Sequence, residues 1–255
     1  MRMDGSEMVS QALQGVIRSL RMYLGPDAPR EAMDNLYRGF VEPGDLVFDI
    51  GAHVGDRVAS FRRLGARVIA VEPQPLLFSA LHHIHGRDPL VEIVDRAVAA
   101  DAGILELFVN TANPTVSTLS EDFVHQAERA PGWEGQVWDQ HMPIEIVTLD
   151  GLIARYGTPA FIKIDVEGFE DAVLRGLSQP VKALSFEFTT IARDVAMVCF
   201  DRLSALGEYR YNWSLGETQK MTFDRWLSDR EMAEHLSNLP HDANSGDVYA
   251  MIAPY

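Results

Sequence analysis

From Asp45 to Phe188 the chain repeats one unit: a short apolar run that stops at a glycine or an acid, followed by an amphipathic segment. LVFDI (46–50) halts at Gly51, RVIAVE (67–72) at Pro73, and FIKID (161–165) before Val166-Glu167-Gly168. Runs of this length, rich in Val, Ile and Phe, read as strands buried on both faces. The intervening segments 55–64, 75–85 and 168–177 place apolar residues three or four apart, as helices do. Strands alternating with helices imply parallel crossovers, hence a doubly wound α/β sheet of three layers.

The same reading extends to both ends. VEIVDRAV (91–98) is a third strand and ILELFVN (104–110) a fourth, paired beside it. IEIVTL (144–149), VKALSFEF (181–188), YRYNWSL (209–215) and DVYAMIA (247–253) are further strands, and helices are expected over 119–129, 191–206 and 222–237. Residues 7–24 form a leading amphipathic helix with Val9, Leu13, Val16, Ile17, Leu20 and Leu24 on its apolar side, and 30–40 a second one. The expected organisation is a helical extension over 1–44 and one domain over 45–255. Residues 111–143 form an irregular insertion rich in Pro and Gly, suited to a substrate lid.

The charge balance is 22 basic against 37 acidic residues, −15 in all, which disfavours nucleic acid and anionic membranes as partners. A single cysteine, Cys199, leaves no disulfide framework or cysteine zinc cluster, and its apolar helical setting reads as a small buried hydrophobe. The acidic start, Met1-Arg2-Met3-Asp4, and the lack of a long apolar run predict a soluble cytoplasmic protein.

In sheets of this kind ligands sit at the carboxyl ends of the strands, so the chemistry is expected at the strand ends. The first ends Asp49-Ile50-Gly51-Ala52-His53-Val54-Gly55. Gly51 permits a tight turn and Gly55 a close helix start, and backbone N–H groups there can face a nucleotide-type ligand. Glu72-Pro73 follows 21 residues after Gly51, the distance at which an acid accepts from ribose hydroxyls. His53 replaces the middle glycine of G-x-G-x-x-G, and Asp49 would repel a pyrophosphate. The opposite charge suits the sulfonium and ammonium of S-adenosylmethionine. An NAD-type oxidoreductase is the disfavoured alternative, and a non-catalytic binding protein on the same fold the third. Asp95-Arg96-Ala97 would form the adenine end, with Asp95 either accepting from the exocyclic amine or pairing with Arg96.

Lys163-Ile164-Asp165-Val166-Glu167-Gly168-Phe169-Glu170 packs three acids into six residues. Asp165 is expected to face the same crevice as Asp49, where it holds the donor ammonium, accepts a proton or binds a divalent cation such as Mg²⁺. Glu170 reads as a helix-start acid, and Glu167 stays open. Glu187, alternating with Phe186 and Phe188, is a second base or a salt-bridge partner; His53 is a third base. No metal site is assigned. His82, His83 and His85 read as a solvated helix face, and His125 and His141 flank the insertion.

LVFDIGAHVG, VIAVEPQP, VTLDGLI, FIKIDVEGFEDAVLRGL and LSFEF, in this order over residues 45–190, resemble the FkbM-type methyltransferases of the class I S-adenosylmethionine-dependent fold. The resemblance implies a Rossmann-like seven-stranded sheet whose last strand, 247–253, runs antiparallel between its neighbours. It implies S-adenosylmethionine at Asp49, Gly51, His53, Gly55, Glu72 and the Asp95–Ala97 loop; Pro73, beside Glu72, and Asp165 are further cofactor-binding candidates. It also implies methylation of an oxygen on a small-molecule acceptor, a sugar or secondary metabolite. The helical start and the insertion depart from the pattern; the start offers a surface for homo-oligomers.

Overall fold

The protein is described here from a computed structural model, which covers residues 5–253, with side chains from Val9 onward. Residues 1–4 and 254–255, the outer ends of the expected extension and domain, lie outside the described residues. Two helices, α1 (Gly5–Leu24) and α2 (Arg30–Tyr37), lead into β1 (Leu46–Ile50), α3 (Asp56–Arg63), β2 (Arg67–Val71), α4 (Pro75–His85) and β3 (Val91–Val94). There follow β4 (Ala97–Val98), β5 (Gly103–Val109), α5 (Glu121–Ala127), β6 (Gln140–Val147), α6 (Leu149–Tyr156) and β7 (Phe161–Ile164). The chain closes with α7 (Glu170–Arg175), β8 (Ala183–Thr189), α8 (Arg193–Leu206), β9 (Tyr209–Leu215), α9 (Asp229–Ser237) and β10 (Ser245–Ile252).

Seven strands form one sheet in the order β3-β2-β1-β7-β8-β10-β9. β10 is antiparallel to both neighbours, and the other described pairings in the sheet are parallel. The order reverses at β1, where the chain returns through β7, and this opens the crevice at the strand ends. One sheet face carries Phe48, Ile50, Ile162, Ile164 and Phe186 against Val173, Phe200 and Leu203 from α7 and α8. The opposite face carries Val47, Val68 and Phe161 against Tyr37 and Phe61 from α2 and α3.

That second face changes character along its length. Val47 lies opposite Phe161; two residues on, Asp49 lies opposite Lys163, and Lys163 opposite Ser185 on β8. Two residues further, Glu187 lies opposite Asp247. Side chains alternate with period two, so these polar residues extend the apolar rows of one face toward the carboxyl ends.

Three expectations are corrected. The third strand ends at Val94; Asp95 and Arg96 break it, and Ala97–Val98 leaves to pair with β6. The fourth strand, β5, pairs antiparallel with β6 in a separate three-stranded sheet. Half of β5 faces solvent, which suits an antiparallel pair and not a buried central strand. The helix expected over 222–237 begins only at Asp229. Ser228 and Glu231 exchange side-chain and backbone hydrogen bonds in a capping box, and Leu227 bridges to Tyr211 instead.

The leading helix also uses less of its apolar arc than its spacing implied. Val16 is buried with Val54 and Leu77, and Leu20, Tyr23 and Leu24 pack beside them. Val9, Leu13 and Ile17 remain 45–61% exposed. The insertion 111–143 has its own small core, in which Val116, Phe123, Val124 and Trp138 meet Ala192.

Candidate active site

A cavity of about 390 Å³ opens at the carboxyl ends of β1, β2, β7 and β8. Its size lies in the range of small-molecule sites. Its first wall is the turn after β1. Gly51 has φ +82°, and a Cβ there would lie 1.8 Å from the Asp165 carbonyl oxygen. No side chain fits, so the β1 and β7 loops touch at this point, and the Asp165 N–H donates to the Ile50 oxygen at 2.9 Å.

Glu72 fixes the same turn from β2. Its carboxylate accepts from the His53 N–H at 2.9 Å and the Gln74 N–H at 2.8 Å. Burial nevertheless pushes its pKa up to about 7. Asp49 is buried and its Oδ2 has no hydrogen-bond partner. Burial first, then the nearby Asp56, raise it to about 7. His53 has φ +50°, meets Tyr23 edge-on with ring centroids 5.3 Å apart, and has an unpartnered Nε2. Burial holds its pKa down at about 4, so the ring is neutral near pH 7.

Other residues expected here divide. Pro73 and Ala97 line the cavity. Gly55 does not: a Cβ on it would sit 2.5 Å from Leu81 and 2.7 Å from His85, so its role is to let α4 close against α3. Asp95 is also absent from the lining; it is exposed and paired with Arg96, and it is Arg96 that lines the cavity.

The second wall is the acid segment after β7. Asp165, Glu167 and Glu187 bring carboxylate oxygens within 4.8 Å of one another. Glu167 takes a left-handed backbone, φ +55°, and the Gly168 that follows, φ +80°, presses against Phe123. Glu170 holds this turn, its Oε1 accepting from the Val166 and Gly168 N–H groups at 3.1 and 3.3 Å. Lys163 is fully buried and donates to Asp247 Oδ1 at 2.6 Å and Asp165 Oδ2 at 3.2 Å. Burial raises the Asp165 carboxyl, but Lys163 and Arg57 outweigh it and hold the group below its usual range. Burial, together with Glu167 and Asp165, drives Glu187 well above its own. The cluster thus divides: Asp165 is held below its usual range, and Glu167 and Glu187 are driven well above theirs, and of the three Asp165 is the one bonded to Lys163.

Sequence reading missed Lys163, Asp247, Arg57, Glu217 and Tyr23 as site residues. The signal for Lys163 was a lone charge within a buried strand run. Arg57, at the start of α3, holds Asp56 and reaches Glu217 at 3.1 Å across the cavity mouth; no motif marked it. Trp133 lines the cavity, whereas Trp138 and Trp213 are packed in cores. His82, His83, His125 and His141 lie outside the lining, and His85 contacts the Gly55 oxygen. Cys199 is buried, its thiol pKa pushed well up by burial.

An unpartnered buried carboxylate, a glycine turn and a ribose-distance acid fit a cationic adenosyl donor. Together with the strand order, in which the last strand is inserted antiparallel, they make up a Rossmann-like fold with a candidate donor site at the carboxyl edge of its sheet. More narrowly, the chain belongs to the FkbM methyltransferase family: the model of the methyltransferase FkbM domain matches residues 49–224, from the first-strand acid to beyond β9. The oxidoreductase alternative is thereby set aside.

The chain is 32% identical over 158 residues to the 31-O-demethyl-FK506 methyltransferase FkbM of Streptomyces tacrolimicus. That match takes in 54% of this chain and 61% of the relative, so about three fifths of the relative's length is spanned. A TehB-like SAM-dependent methyltransferase of Corynebacterium glutamicum superposes with TM-score 0.48 at 11% identity, over 98% of this chain and 100% of that one. The O-methyltransferase of Bacillus cereus, solved in complex with SAH, gives 0.42 at 13% identity, over 99% and 93%. The fold rests on the strand order and not on these similarities. Among the described residues no helix is long and apolar enough to cross a membrane.

Proposed function

We propose that this protein transfers a methyl group to a hydroxyl oxygen of a small molecule, a sugar or secondary metabolite. The observation that carries this reading is the pairing of two walls in one cavity: a buried Asp49 with an unpartnered oxygen, and an acid cluster in which Asp165, bonded to Lys163, is held below its usual range while Glu187 is driven above its own. S-adenosylmethionine, when bound, supplies an already activated methyl on a sulfonium. Asp49 offers its free oxygen to the donor's positive charge. Gly51, His53, Glu72, Pro73 and Ala97 shape the donor's bed. A hydroxyl must lose its proton as it becomes a nucleophile, and a base adds about 10²–10⁴-fold. Asp165 takes that proton; neutral His53 is the reserve acceptor, and Glu187 accepts only once its own proton has left. Holding the acceptor in line with the methyl supplies the larger share, about 7–11 kcal/mol at best.

A divalent cation among Asp165, Glu167 and Glu187 fits less well. Lys163 already occupies Asp165 Oδ2, and its ammonium would repel a second cation on that carboxylate.

The test is incubation with donor carrying a ¹³C methyl and a panel of hydroxylated small molecules. A methyl-ether carbon signal in the product is the expected result. Label on nitrogen or carbon, or donor binding with no transfer to any acceptor, would overturn the reading.

A further inference from the structure

Three carboxylates crowd the acceptor wall, yet one cation lies among them. Lys163 is 1% exposed, in the middle of the central strand β7. An ammonium stripped of water persists only where neighbours replace that water. Two carboxylates do so, Asp247 at 2.6 Å and Asp165 at 3.2 Å, and neither Glu167 nor Glu187 is bonded to it. Asp247 comes from β10, the strand inserted against the direction of its neighbours, so the sheet's irregular feature delivers the anchor.

The geometry points to Lys163, anchored on Asp247, as the positioning residue that selects Asp165 over Glu167 and Glu187 as the proton acceptor. This rests on the reading of Asp165 as the base. Like charges this close cannot all persist in a buried site, so the protons go to the members that lack a cation. The groups facing Lys163 are Asp49 from β1, Asp165, Asp247 from β10, Tyr37 from α2, Arg57 from α3 and, unbonded to it, Glu167, Glu170 and Glu187. Those facing Asp165 are Lys163, Arg57, Glu187, Glu167 and Glu170 on its own side. Across the cavity stand Asp49, His53, Glu72 and, from α1, Tyr23. Arg57 is the other cation in this set; it also draws the Asp165 carboxyl down, but its bonds go to Asp56 and Glu217, its Nε is unpartnered, and none of its hydrogen bonds reaches Asp165. Lys163 is therefore the cation that bonds to Asp165 and to neither Glu167 nor Glu187.

Carbon-13 NMR of the side-chain carboxyls, assigned with Asp165→Asn and Glu187→Gln, reads the effect without any acceptor. In the unmodified protein the Asp165 signal is expected to stay ionised across the neutral range. In Lys163→Met its midpoint should rise by about 1–3 pH units, and that of Glu187 should fall. Lys163→Gln keeps the hydrogen bonds without the charge and serves if the methionine variant does not fold. Lys163→Arg should restore the low midpoint. A purely structural lysine would leave the midpoint unmoved in Lys163→Gln, and that outcome overturns the inference. Failure of the base reading looks different: Asp165→Asn would keep its turnover while the midpoint of Asp165 in the lysine variants still shifted.

Discussion

The donor wall and the acceptor wall of the cavity are both acidic, but they handle their charge in opposite ways. Asp49 and Glu72 are buried without a bonded cation, and both are raised to about 7. Glu72 uses its oxygens on backbone amides, and Asp49 leaves one oxygen free. On the other side Lys163 is built into the strand, bonds Asp165, and with Arg57 holds its carboxyl below the usual range. The first wall waits for a positive charge from outside; the second brings its own. A wall that needs a cation binds one, and a wall that has a carboxylate ready accepts a proton.

If the walls are functionally separate, Asp165→Asn should lower kcat by about 10²–10⁴-fold while leaving donor affinity nearly unchanged. Single-turnover rates and donor titration measure the two quantities apart, and a loss confined to affinity would merge the walls. Asp49→Asn should do the reverse, raising the donor dissociation constant roughly 10- to 100-fold, the worth of one charge-assisted hydrogen bond. At saturating donor its kcat should hardly move.

A pH titration makes the comparison finer. The donor requires ionised Asp49, so affinity should climb as pH rises toward 8 and fall by up to about tenfold per unit below about 6. Calorimetry in buffers of different ionisation enthalpy should show proton release near pH 7, absent in Asp49→Asn. Without donor the sign is opposite for stability. The folded protein holds the Asp49 and Glu72 protons more tightly than the unfolded chain, so this contribution is present at low pH and is lost as pH rises from about 4 through about 7. Thermal melts with and without donor would display both trends. The smallest effect belongs to Glu217→Gln: its link to Arg57 is largely exposed, worth about 1 kcal/mol at most, so donor KM should change by no more than about fivefold.

The donor wall was legible because its parts are local. A strand, a glycine turn and an acid 21 residues on must lie together in any parallel crossover, and Asp49, Gly51, His53 and Glu72 do. Asp165 and Glu187 were legible as strand-end acids for the same reason. Gly55 shows where that logic stops. It was readable as a close helix start, but whether it faced ligand or helix depended on where Leu81 and His85 packed.

What the chain's pattern determined alone was the alternation of buried runs and amphipathic segments, and with it the layered sheet and the site at its carboxyl edge. Periodicity is a local property, and hydrophobic burial turns it directly into layers. Only tertiary structure decided which of the acids lies against a cation. Lys163 and Asp247 are 84 residues apart and meet at 2.6 Å because β10 is threaded antiparallel between β8 and β9. Ionisation in a dry site depends on the distance to the nearest opposite charge, and that distance belongs to the packed sheet and not to any stretch of the chain.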